Sequence, residues 1–248
     1  MENADLLRRL ADLAERCDRT GSVTATPFLT PAEQFEMRKR CSLPEGVTLL
    51  FSGGSAECER QCAFFLPYYL DEAGFDVSET IKAIRIRSYY GEVTHRDYLG
   101  SLLALGIRRE WLGDIRLDGD TAWVFCLASV EKTLLDVDRV GRCSVKAEAC
   151  ALEDVPVPEK KVKTVNFTVK SLRLDAVTGD LFGVSRTAAA EAIRLGAVSL
   201  NYAPCTQPDA PVREGDILSF RGKGKGSITE IGGQSRKDRT FVRAELRL

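Results

Sequence analysis

The residues best placed to do chemistry form one short run, Ser185-Arg186-Thr187-Ala188-Ala189-Ala190-Glu191-Ala192-Ile193-Arg194-Leu195-Gly196. Ser185 can cap a helix by accepting a backbone N–H bond, and Gly196 suits the left-handed residue that stops one. On a helical projection Ala188, Ala189, Ala192, Ile193 and Leu195 share one side, while Arg186, Thr187, Glu191 and Arg194 share the other. Arg186 and Arg194 lie about 80° apart around the axis. Their guanidinium forks, beside the free N–H groups of a helix start, match the oxygens of a phosphate backbone. The chemistry to expect is anion binding.

The elements around this run must hold it in place. Ser171 to Val177 starts a first helix, with Leu174, Val177 and Leu181 at core spacing. Ala197 to Asn201 alternates as a strand, Pro204, Pro208 and Pro211 mark a turn-rich segment, and Glu214 to Arg221 reads as a second strand. Gly222-Lys223-Gly224-Lys225-Gly226 is expected to be mobile and cationic, ahead of a terminal hairpin pairing Ser227–Ile231 with Thr240–Leu248. Arg173-Leu174-Asp175, Ser185-Arg186, the spacing Ala189, Ile193, Gly196, Val198, Asn201, and then Val212, Gly215, Asp216, Ile217 resemble the RNA-binding module named after small-subunit ribosomal protein S-four. That resemblance implies a compact helix-pair and strand unit that grips structured RNA. The RNA-contacting candidates are Arg173, Ser185, Arg186, Thr187, Arg194, Asn201, Arg221, Lys223, Lys225, Arg236 and Lys237.

Charge distribution agrees. The chain as a whole carries −1, yet residues 160–248 hold 16 Lys+Arg against 9 Asp+Glu, whereas residues 1–159 hold 19 against 27. A basic end on an acidic body marks the nucleic-acid-binding portion.

The acidic portion reads as two segments. Residues 1–78 are expected as an α/β domain: a helix over 2–19, a helix near 31–41 opened by Thr30-Pro31, and a strand over Val47–Phe51. The apolar run from Gln61 to Leu70 is compatible with strand or helix, although Pro67 argues against a long helix. Residues 79–155 give the order β-α-β-β-α-β: a strand from Ile81, a helix from Thr94, strands at Asp114–Leu117 and Ala122–Leu127, a helix near Val130–Val140, and a strand over Cys143–Ala149. This is the ferredoxin-like order of the RNA-recognition-motif fold. Its opening strand, Ile81 to Arg87, presents no aromatic residue to stack on bases, so single-strand binding by that sheet is not expected. A proline-stiffened linker, Asp154 to Lys161, leads to a basic strand over Val162–Lys170 and the third domain, 160–248. The expected fold class is α+β in three parts.

Thr94 to Glu110 with Gly113-Asp114-Ile115, followed by the C-terminal module and its glycine-lysine extension, resembles the YlmH-type family of bacterial proteins. The resemblance implies a cytoplasmic RNA-binding protein on the ribosome, with rRNA and tRNA as partners and a role at large subunits carrying stalled peptidyl-tRNA. It also implies genes that neighbour cell-division genes. A monomer without cofactor is expected.

Other chemistries fit poorly. His95-Arg96-Asp97 copies a kinase tripeptide but lacks the asparagine five residues after Asp97. Gly53-Gly54-Ser55-Ala56-Glu57 lacks the last glycine of a nucleophile elbow, and the lysine-glycine run lacks P-loop spacing. The 8 cysteines contain no C-x-x-C pair, and His95 is the sole histidine, so no metal site is expected and reduced, mostly buried thiols are. No apolar run approaches the roughly 20 residues of a membrane helix, and the acidic start does not read as a signal peptide. Rival readings are an RNA-modifying enzyme, since Arg173-Leu174-Asp175 copies a pseudouridine-synthase triplet and methyltransferases also carry such modules, and a protein–protein adaptor linked to cell division.

Overall fold

The computed structural model describes residues 2–91, 93–158, 162–234 and 238–247, and the chain divides into two compact units, Met1–Pro158 and Glu159–Leu248. Among the described residues, no helix is long and apolar enough to cross a membrane.

In the first unit, α1 (Glu2–Thr20), β1 (Thr24–Ala25), α2 (Pro31–Arg40), β2 (Thr48–Ser52) and β3 (Cys62–Leu66) build a small sheet of order β1-β3-β2. Thr30 caps α2 reciprocally: Glu33 N–H donates to Thr30 Oγ1 at 3.3 Å, and Thr30 N–H donates to Glu33 Oε2 at 2.6 Å. All of β3 is buried. Ala63 and Phe65 face Leu10, Ala14 and Met37 of the two helices, and Cys62, Phe64 and Leu66 face the opposite way. That double burial is why the run lacked a readable period: both faces require apolar side chains.

The same unit continues with β4 (Ile81–Ser88), α3 (His95–Ala104), β5 (Leu112–Asp118), β6 (Thr121–Leu127), α4 (Glu131–Leu135), β7 (Arg139–Val140) and β8 (Cys143–Cys150). The sheet is antiparallel, in the order β5-β6-β4-β8-β7. Its long strands follow the ferredoxin-like arrangement. The helix expected over 130–140 is shorter than the sequence suggested. It ends at Leu135 because Asp136 and Asp138 are poor helix formers, and Arg139–Val140 turns back at left-handed Gly141 to pair with β8.

Alternation then decides what each face of this sheet meets. Ile84, Ile86, Val124 and Cys126 pack under Tyr98, Leu102 and Leu134. Ile81, Ala83 and Phe125 lie on the other face, against Phe28, Cys62, Phe64 and Leu66 of the small sheet. Part of the surface on which a single strand would lie in an RNA-recognition motif is thus covered by the chain's own first segment. The rest of that face carries Arg85, held to Glu148 at 2.8 Å, and Arg87, 3.7 Å from Asp120. Beyond the strand, Tyr89 and Tyr90 are exposed.

Arg116 and Asp114 of β5 lock the two segments together. Arg116 donates to Ser55 Oγ at 3.1 Å, to Pro156 O at 2.9 Å and to Ala56 O, while Asp114 accepts from the backbone N–H groups of Glu59 and Arg60 at 2.6 and 3.1 Å. The 8 cysteines are free thiols, four of them buried. Burial pushes Cys58 up to about 11 and Cys62 and Cys126 up to about 12, which keeps these thiols protonated and inert.

The second unit comprises β9 (Val162–Val169), α5 (Leu174–Phe182), α6 (Arg186–Arg194), β10 (Val198–Leu200), β11 (Ala203–Pro204), β12 (Ile217–Phe220), β13 (Gly224–Gln234) and β14 (Thr240–Arg247). Its sheet runs β11-β10-β12-β13-β14-β9. Leu174, Val177 and Leu181 of α5, Ile193 of α6, and Val242 and Ala244 of β14 meet in one core. In the glycine-lysine run expected to be mobile, Gly222 and Lys223 form a turn and Gly224 to Gly226 begin β13, with Gly226 opposite Leu218 and Leu246. Packing requires two of its glycines: a Cβ at Gly226 would lie 2.7 Å from the Leu181 side chain, and one at Gly224 2.8 Å from Arg247 O.

Candidate nucleic-acid interface

The candidate site is built on the turn between α5 and α6. Helix α5 ends at Gly183 in the left-handed region, and Val184 N–H returns to Gly179 O at 2.9 Å. A Cβ at Gly179 would press on Val184 O at 3.1 Å and touch the Arg186 backbone at 3.6 Å, so glycine there eases the close approach of α6 to α5. Ser185 caps α6, accepting from Ala188 N–H at 3.1 Å.

That close approach puts Arg186 beside Asp175. Asp175 Oδ2 accepts from Arg173 Nη2 and from Arg186 Nη2, both at 3.1 Å, and Oδ1 accepts from Arg173 Nε at 3.3 Å. The carboxylate is buried, with 6% of its side chain exposed, whereas the arginines keep 40% and 57% of theirs. Burial alone would raise the Asp175 pKa, but hydrogen bonds and charge from Arg173 and Arg186 outweigh it and hold the carboxyl below its ordinary value. One buried anion therefore orients two outward-facing guanidinium groups.

The remaining candidates spread around this pair. Thr187 and Arg194 are exposed on α6, with Arg194 in the last turn where the helix dipole favours a cation. The buried side of α6 is Ala189, Ala190 and Ile193, so the alanine face is rotated from the expected one, and Leu195 is 77% exposed. Arg221 and Lys223 are exposed beyond β12. Lys225 points its Nζ at the Tyr202 ring, 4.7 Å from the centroid. Asn201 serves the fold: with Tyr202 it forms a two-residue turn at positive φ, its Nδ2 donates to Asp216 Oδ1 at 2.8 Å, and its Oδ1 accepts from Ile217 N–H at 2.9 Å. Arg236 and Lys237 lie outside the described residues.

Three contributors went unsingled in the sequence. A cavity of about 220 Å³ beside the turn is lined by Lys170, Asp180, Arg186 and Arg239. Arg239 is anchored on Thr168, donating to its Oγ1 at 2.9 Å and to its carbonyl. Tyr202 adds an aromatic face under Lys225. No local motif marks Lys170 or Arg239, because strand pairing of β9 with β14 brings them to the turn.

Residues 72–154 match the family model described as a putative RNA-binding domain in YlmH, and residues 172–218 match the S4 domain model. A Bacillus subtilis protein named "Ribosome-associated protein quality control protein P2" is 32% identical over 221 residues, spanning 89% of this chain and 86% of the relative. The solved structure of "Cell division protein ylmH from Streptococcus pneumoniae" superposes with a TM-score of 0.52 at 19% identity, over 63% of this chain and 96% of that one, which supports the fold. With its paired arginines on an S4 helix turn and a relative this similar along nearly its whole length, the chain belongs to the YlmH-type family of RNA-binding proteins.

Proposed function

We propose that this protein is a cytoplasmic, monomeric ribosome-associated factor that grips folded rRNA or tRNA on the large subunit, in quality control of stalled translation, and that it catalyses no reaction. The division of labour follows three segments, 1–78, 79–155 and 160–248, of which the last supplies the grip. The observation that carries this reading is the buried Asp175 carboxylate presenting Arg173 and Arg186 outward from a helix start. Two oriented forks beside free helix N–H groups suit phosphates fixed in a folded RNA. The Arg173-Leu174-Asp175 triplet fits this role better than the synthase one, since its carboxylate is occupied by two arginines at the start of an RNA-binding module. The similarity to a relative named for ribosome-associated quality control supports the same setting.

Sedimentation of the full-length protein with ribosomal particles tests it. The reading expects the protein in large-subunit fractions, released by nuclease. Co-sedimentation that survives nuclease would favour the adaptor reading, and conversion of uridine in bulk RNA by the pure protein would favour the enzyme.

A further inference from the structure

The first unit holds a larger cavity, of about 320 Å³, between α1 and the loops that precede α2 and β5. One wall is hydrocarbon: Leu6, Leu10 and Leu13 from successive turns of α1, with Phe28 beneath. The opposite wall carries two partly buried guanidinium groups. Arg60 donates through Nε to Leu112 O at 3.1 Å and through Nη2 to Phe28 O at 2.9 Å, and Arg109 donates through Nη1 to the same Leu112 O at 2.7 Å.

Backbone carbonyls fix both groups without neutralising them. Among the described residues, neither has a carboxylate within 4.0 Å. The acids of the lining make their short contacts elsewhere, Glu33 capping α2 and Glu110 lying 3.5 Å from Arg108, and act on Arg60 only at longer range. Burial, and for Arg109 also the charge of Arg60, weakens the hold of each guanidinium on its proton and outweighs the opposing pull of Glu33, Asp114 and Glu110 on Arg60 and of Asp114 on Arg109. Two adjoining cations are thus drawn out of water with N–H groups to spare, facing an apolar wall.

We propose that this cavity binds a small carboxylate with a hydrocarbon body. The carboxylate would take the Arg60–Arg109 end, where a planar fork matches two oxygens, and the hydrocarbon would lie along Leu6, Leu10 and Leu13. The volume falls at the small end of the range for small-molecule sites, about 300–1,000 Å³. A nucleic-acid phosphate fits less well, because a sugar–phosphate chain has no surface to offer the leucine wall. The site is independent of the RNA-gripping turn.

Calorimetric titration of the full-length protein with hexanoate and with hexanamide tests the proposal. Hexanoate should bind saturably and hexanamide about tenfold more weakly, the effect of losing charge-assisted hydrogen bonds. Arg109→Gln should bring hexanoate down to the affinity of the amide. Leu6→Trp, which fills the apolar side and leaves both arginines in place, should abolish binding of both. Equal affinities for the two compounds in the wild type, no saturable binding of hexanoate, or undiminished hexanoate binding in Leu6→Trp would each overturn it.

Discussion

Asp175 and Arg186 stand 11 residues apart in sequence and 3.1 Å apart in space, joined across the helix turn by a bond from Nη2 to Oδ2. Because Arg173 shares that oxygen, the carboxylate acts as a positioning residue for both guanidinium groups. Asp175→Asn should cost about 1–2 kcal/mol of stability, since the arginines are half exposed and their attraction is screened. It also removes a negative charge next to the RNA, which on electrostatics alone would tighten binding. If orientation outweighs charge, as the shared oxygen argues, RNA affinity falls several-fold while its salt dependence is unchanged or steeper. Filter binding of wild type and Asp175→Asn to ribosomal RNA across a salt series checks this, and tighter binding by the variant would contradict it.

Acid should dissolve the same arrangement. The folded-state pKa of Asp175 lies below its ordinary value, so the stability it contributes is complete above about pH 4 and is lost as pH falls through the lower folded value. Thermal melts of wild type and Asp175→Asn should therefore differ at pH 7 and converge once the pH falls below the lowered folded-state value. A gap that persists undiminished at low pH would show that packing, and not the ion pairs, separates the two proteins.

Gly113 reports on how the first unit is closed. A Cβ there would lie 2.8 Å from the Phe28 ring and 2.9 Å from Phe125 Cβ, between the two segments. Gly113→Ala should destabilise the protein by about 1–3 kcal/mol through overpacking. Because the wedge would pry at the contact that covers Ile81 and Ala83, it should also raise the labelling rate of the Cys58 and Cys62 thiols, which pack in that same core. Urea unfolding together with thiol labelling measures both effects, and an unchanged midpoint would mean that the rings move aside freely.

What could be read from the sequence was mostly local. Thr30, Thr94 and Ser185 all cap the helices they were expected to open, since a cap needs only the residues that follow it. The long strands of the central sheet were legible from alternation and from the hairpin signal between them. Features set by the opposite side of a packed interface stayed hidden. The strand within the 61–70 run depended on a sheet having both faces covered, and the entry of Gly224 to Gly226 into β13 depended on Leu181 seated over Gly226. At the candidate site, Arg186 and Arg194 were visible from helical spacing. The Asp175 bridge, the Tyr202–Lys225 contact and the arrival of Arg239 needed the tertiary fold.

The central claim, that this arginine-bearing face holds phosphates of folded RNA, is tested most directly at Arg194. Unlike Arg186, it can be reversed without setting a second negative charge against Asp175, and it stands about 12 Å along α6 from Arg186. The measurement is the affinity of wild type and Arg194→Glu for large ribosomal subunits across a salt series. Four to six phosphate contacts give a log–log slope of about −3 to −5 in the wild type. Arg194→Glu should weaken binding and flatten that slope by about 1. Equal affinities and equal slopes for the two proteins, both folded, would contradict the account.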